Sequence, residues 1–210
     1  MKLPWRTPAD RSSAEAKDPG PEAGPRVELH RSPGLQAVVG DCGSKTPCAV
    51  LDLGPALPEN IEFLSARASN IQVVDVFRQG GDPHGAVRLL RKLDSTRHGF
   101  FDLVLFWDIL DYFSADTAPD VIQAIVPLCA PTARCLVMAS ATDTVPATVR
   151  KYRIVDSSHL RYEWTSFEEK GITQLAPATL GKILSGFGVE HAFVLRNGLR
   201  EFVAVRNPEA

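Results

Sequence analysis

From Ala49 to Leu53 the chain is apolar except for Asp52, and the run stops at Gly54. Pro55 and Pro58 break it, and apolar residues return with helical spacing at Ile61 and Leu64. That pattern predicts a buried strand, a sharp turn and a helix from about Pro58 to Ala68. Residues 70–77, Asn-Ile-Gln-Val-Val-Asp-Val-Phe, predict a second strand that is β-branched at its centre. After Gly80, Gly81 and Pro83 comes an amphipathic helix, with Val87, Leu89, Leu90 and Leu93 apolar and Arg88, Arg91 and Lys92 on its wet face. Phe100 to Phe106 is the plainest strand in the chain, and Trp107 to Phe113 turns back to helical spacing. Val121, Ile122, Ile125 and Val126 share one face of a further helix, capped by Asp116 or Thr117, with Pro119 in its first turn. Ala133 to Ala139 supplies another apolar strand. Strands and helices in strict alternation predict an α/β fold, a doubly wound and mostly parallel sheet covered on both faces.

The ends of the chain read differently. Residues 1–31 carry five prolines among Ser, Glu, Lys and Gly with no apolar period, and are expected to be a disordered extension. A single domain is expected over 32–210, opening with a short helix around Leu35, Val38 and Val39. Residues 141–176 are irregular and aromatic, an insertion that would lie above the strand ends. A helix over Thr179 to Phe187 follows. Asn197-Gly198 then separates two β-rich runs, Val189 to Arg196 and Leu199 to Arg206, which predicts a closing antiparallel hairpin with a type I′ turn. A dinucleotide-binding sheet is normally parallel throughout. That hairpin, with the missing GxGxxG, argues against a nicotinamide oxidoreductase.

Composition narrows the function. At 210 residues and 44% hydrophobic content, the chain can bury one good core. A formal net charge of −2 gives no electrostatic case for nucleic acid or an anionic membrane surface. No apolar run approaches the roughly 20 residues that span a bilayer, and the start lacks a secretory core, so a cytoplasmic protein is expected. Cys42, Cys48, Cys129 and Cys135 show no CxxC spacing and no histidine partners. Zinc is not expected, and buried free thiols are.

Taken together, three stretches resemble the class I S-adenosylmethionine-dependent methyltransferases. Val-Leu-Asp-Leu-Gly (50–54) resembles the start of that family's first motif. Phe-Asp-Leu-Val-Leu with Trp-Asp-Ile-Leu-Asp-Tyr-Phe (101–113) resembles its fourth strand and the turn that follows, and the C-terminal helix and hairpin resemble its closing strands. The resemblance covers about Leu35 to Arg206. It implies a Rossmann-like methyltransferase fold, S-adenosylmethionine as cofactor and a small-molecule acceptor. No convincing strand lies between Phe77 and Phe100, so the family's third strand is expected to be missing or very short.

Site residues follow from the resemblance. Asp75 would accept the cofactor's two ribose hydroxyls, a task suited to a carboxylate with two oxygens; otherwise it caps a strand end. Asp52 would organise the loop under the cofactor, or be a buried carboxylate held by backbone N–H groups. The family's motif continues with further glycines, but here only Gly54 remains, with Ala56 and Pro58 in the later positions. Pro55 and Pro58 have no N–H to give a cofactor carboxylate. Asn60 and Glu59 still offer theirs, although Glu59 adds a negative charge. Trp107 would stack on the substrate or sulfonium, or simply pack in the core. Asp108 would position or deprotonate the acceptor, or cap a helix; Asp111 and Tyr112, one turn on, would line the same pocket. His159, Tyr152, Tyr162 and Arg161 are weaker substrate-side candidates. Two functions stay open: methyl transfer to a small molecule, and a methyltransferase-like fold without cofactor that binds a partner protein.

Overall fold

The computed structural model describes residues 26–40, 42, 47–77, 82–97, 99–165, 168–172 and 177–207. Its centre is a six-stranded sheet. β2 (Ala49–Asp52), β3 (Asn70–Val73), β4 (Phe101–Trp107) and β5 (Cys129–Ser140) run parallel. β10 (Phe187–Val194) and β11 (Leu199–Arg206) close one side as an antiparallel hairpin, giving the order β10-β11-β5-β4-β2-β3. β3 is the far edge. Among the described residues between Phe77 and Phe100 there is only α3 (Pro83–Arg97), with no strand between β3 and β4.

Two apolar clusters cover the two faces. α3, α4 (Ala118–Ile125) and α5 (Pro177–Ile183) bury Leu90, Val121, Ile122 and Leu180 on one side, against Leu51, Val104, Phe106 and Phe202. The other face takes α1 (Pro33–Val39) and α2 (Pro58–Ser65), which seat Leu35, Val38 and Leu64 against Val50, Leu103, Leu105 and Leu136. The inner strands β2 and β4 therefore alternate between two cores, which is why they read as continuous apolar runs.

The segment expected to be irregular is ordered as β strands. β7 (Lys151–Asp156) and β8 (His159–Trp164) form a hairpin, and β1 (Arg26–Arg31) adds to β8, making a three-stranded antiparallel sheet. Tyr152 and Ile154 alternate with more exposed neighbours in β7, as Leu160 and Tyr162 do in β8, and those four side chains are buried in the cluster with Leu64 and Trp107. β6 (Thr144–Pro146) pairs with β9 (Glu169–Gly171) in a separate two-stranded sheet. The presence of β1 also corrects the domain boundary: residues 26–31 belong to the fold, while the rest of the expected extension lies outside the described residues.

Two further expectations change. The closing turn is not type I′. Among the described non-glycine residues only Trp107 has positive φ, so Asn197 does not, whereas Gly198 sits at φ 79. Leu195 N–H donates to Leu199 O and Gly198 N–H to Leu195 O, so the loop is a three-residue turn with its left-handed position at glycine. Cys42 and Cys48 are joined in a disulfide that ties the end of α1 to the entry of β2; Cys129 and Cys135 are the free, buried thiols. No helix among the described residues is long and apolar enough to cross a membrane.

Candidate functional site

The carboxyl ends of β2, β3 and β4 meet where a doubly wound sheet opens its crevice. Asp52 is the last residue of β2 and is buried. Its Oδ1 accepts the Gly54 N–H at 2.9 Å and the Trp107 indole N–H at 2.7 Å. Burial pushes its carboxyl above the usual range, and these two donors pull it back. Trp107 ends β4 with φ 52, a left-handed backbone that costs a bulky residue on the order of 1–3 kcal/mol. That turn lays the indole against Gly54: a Cβ at residue 54 would sit 2.8 Å from two indole atoms. Tyr152 stacks on the indole, with centroids 5.4 Å apart and planes within 3°.

The remaining residues expected to hold a cofactor are spread around this stack. Asp75 lies just past β3, partly exposed, with Oδ1 taking the Phe77 N–H at 3.0 Å. Its Oδ2 has no hydrogen bond among the described residues, and its charge reaches Asp52. Ala56 is exposed on the loop, while Leu57, the N-cap of α2, is buried. Asn60 is buried: its Nδ2 donates to Tyr152 O at 2.9 Å, its Oδ1 accepts the Ile154 N–H at 2.8 Å, and its amide also helps hold the Asp52 carboxyl down. It straps β7 to α2. Glu59 pairs with Arg153 at 2.7 Å, so its charge is engaged on the helix flank.

Beyond Trp107 lies a buried polar cluster. Asp108 is fully buried, and Arg150 Nη1 donates to its Oδ2 at 2.8 Å. Burial drives the Asp108 carboxyl up, and the guanidinium opposes that. Asp111 accepts the Ser140 N–H at 2.6 Å, and burial with the neighbouring Asp108 charge lifts its pKa to about 7. The Tyr112 hydroxyl donates to the Pro146 carbonyl at 3.1 Å, and burial holds its proton firmly. Asp108 Oδ1, Asp111 Oδ1, Arg150 Nε and the Tyr152 hydroxyl are buried without a hydrogen bond of good geometry, although the Tyr152 hydroxyl lies near enough to Asp108 to help hold its carboxyl down. Buried orphans of this kind call for a role or a bound group. Sequence reasoning missed Arg150 and undervalued Tyr152. The signal was the Tyr-x-Ile alternation of residues 152–154, which places Tyr152 inward; nothing local marks Arg150.

His159 and Arg161 are not brought to this site. His159 contacts Asp156 at the β7–β8 turn, and Arg161 borders a separate groove of about 490 Å³ with Glu59, Phe63 and Val155. A second cavity, about 270 Å³, is bordered by Asp111, Tyr112, Lys170 and Thr179. Neither is lined by Gly54, Asp75 or Trp107.

No family model matches the sequence, and no curated protein matches it. Solved structures do. An S-adenosylmethionine-dependent methyltransferase from Mesorhizobium loti is similar at TM-score 0.52 and 15% identity, over 83% of this chain and 96% of its own. One from Clostridium acetobutylicum is similar at TM-score 0.52 and 11% identity, over 83% and 91%. The chain has the class I methyltransferase fold.

The residues fit S-adenosylmethionine at one end only. Asp75 keeps an acceptor oxygen for a ribose hydroxyl. At the other end Gly54 is buried under Trp107, and the loop after it has prolines at 55 and 58 in place of N–H donors.

Proposed function

We propose that the chain binds S-adenosylmethionine and takes part in methyl transfer to a small-molecule acceptor. The observation that carries this is the placement of Asp75: on the class I methyltransferase fold, it stands past the second parallel strand with one carboxyl oxygen uncommitted among the described residues. The cofactor would supply an electrophilic methyl group. In this reading Asp75 holds the ribose, and Asp52 fixes the Gly54 loop. Asp108 offers Oδ1 to an acceptor N–H or O–H while Arg150 neutralises its other oxygen. Tyr112 keeps its proton on the Pro146 carbonyl, so its part is to position the turn after β4. The acceptor is taken as small because the net charge of −2 offers nothing to a nucleic acid.

A second reading, a methyltransferase-like fold that binds a partner protein without the cofactor, is favoured by one observation: the packing of Trp107 over Gly54. Calorimetric titration with S-adenosylmethionine and S-adenosylhomocysteine separates the two. Micromolar binding, about −8 kcal/mol, that weakens at least tenfold in Asp75→Ala supports the first. A folded protein that takes up neither ligand, and still takes up neither once residue 107 is made small, supports the second.

A further inference from the structure

The disagreement at Gly54 has a specific shape. The nearest side chain over that glycine is the Trp107 indole. We propose that Trp107 is a built-in plug of the cofactor cleft: the protein rests closed, with the indole against Gly54, and admits S-adenosylmethionine only when residue 107 swings away. This rests on the function proposed above and adds how the site is regulated.

Four features support it. The indole occupies the space that the missing side chain of Gly54 leaves, at 2.8 Å from where a Cβ would be. Its N–H and the Gly54 N–H share one oxygen of Asp52, so the plug is latched by the same carboxylate that shapes the loop. The latch is maintained with Trp107 in a left-handed backbone at φ 52, where the ladder to β5 also slips register between Leu105 and Trp107. A tryptophan rarely adopts that conformation, so a release in which the backbone of residue 107 also relaxes would offset part of the lost indole contacts. Finally, the indole is stacked on Tyr152, which belongs to β7 and not to the central sheet. Movement of that hairpin and movement of the plug are therefore coupled through one stacked pair.

Two variants test the plug directly. Trp107→Gly removes the ring and accepts positive φ, and Trp107→Asn is small and tolerates the same backbone. Trp107→Phe keeps a ring in place. Dissociation constants for S-adenosylhomocysteine are measured by calorimetry on each full-length protein, with folding checked by circular dichroism. The plug predicts binding at least tenfold tighter in Trp107→Gly and Trp107→Asn than in the wild type, about 1.4 kcal/mol, with Trp107→Phe closer to the wild type. Asp75→Ala added to Trp107→Gly should reverse the gain. Equal affinity in wild type and both small variants overturns the plug and leaves cofactor binding standing. No binding in a folded small variant overturns both.

One measurement needs no change at residue 107. In a Trp5→Phe, Trp164→Phe background, the emission of Trp107 should shift to the red as S-adenosylhomocysteine is added, because a buried indole becomes hydrated. Binding without that shift overturns the plug.

Discussion

Trp107 donates its indole N–H to Asp52 Oδ1 at 2.7 Å, joining the end of β4 to the end of β2 across the mouth of the crevice. Both side chains are buried, so the bond is not in competition with water. Trp107→Phe keeps the ring but removes the donor, and should cost roughly 1–2 kcal/mol in urea unfolding. The Asp52 carboxyl should rise further, since Trp107 is the largest influence opposing its burial. A change under about 0.5 kcal/mol, within the range of neutral surface substitutions, would show that the contact stabilises nothing.

Asn60 was expected to present its backbone N–H to a cofactor, yet its side chain holds β7 to α2. Asn60→Ala leaves the Tyr152 carbonyl and the Ile154 N–H without partners in a buried place. The expected loss is roughly 2–4 kcal/mol. It should be accompanied by faster hydrogen exchange at Ile154, with exchange in β4 following only the global change. Uniform acceleration across the chain would mean that Asn60 supports the whole domain and not this joint.

Asp52, Gly54, Asp75 and Trp107 were legible in the sequence because each ends or follows a strand whose apolar run is itself legible. Chain order alone then brings them to the carboxyl ends of neighbouring strands. What those side chains do there was not legible, because it depends on a contact between residues 52 and 107 and on the φ of a single residue. The same limit explains the insertion. The alternation of Tyr152 and Ile154 was present, but charged neighbours lowered the apparent hydrophobicity of both strands, and the partner β1 lies over a hundred residues away. Arg150 is the extreme case, a surface-type residue whose burial is understood only once its partner Asp108 is in view.

The Asp108–Arg150 pair should behave as a unit. Asp108→Ala leaves a largely buried guanidinium without its counter-charge, a loss of roughly 3–5 kcal/mol. Replacing both residues, Asp108→Leu with Arg150→Met, removes the two desolvation penalties together. It should cost less than the sum of the single changes by at least about 1 kcal/mol in a double-mutant cycle followed by urea unfolding. Additive single effects would show that the two charges are solvated independently.

Asp111 gives the fold a pH dependence of definite sign. Burial, then the nearby Asp108 charge, lifts its pKa from 3.8 to about 7, while the Ser140 N–H and the guanidinia of Arg150 and Arg200 pull the other way. Between those values the folded protein holds a proton that the unfolded chain has lost. Stability from this group is therefore fully present below about pH 4 and falls as pH rises towards 7, by at most about 1.4 kcal/mol per pH unit. Asp111→Asn retains an acceptor for the Ser140 N–H and cannot ionise. Urea unfolding at pH 5, 6, 7 and 8 should show the wild type losing stability relative to the variant up to about pH 7, and the two curves running parallel above it. Curves parallel over the whole range would mean that Asp111 ionises in the fold as readily as in the open chain.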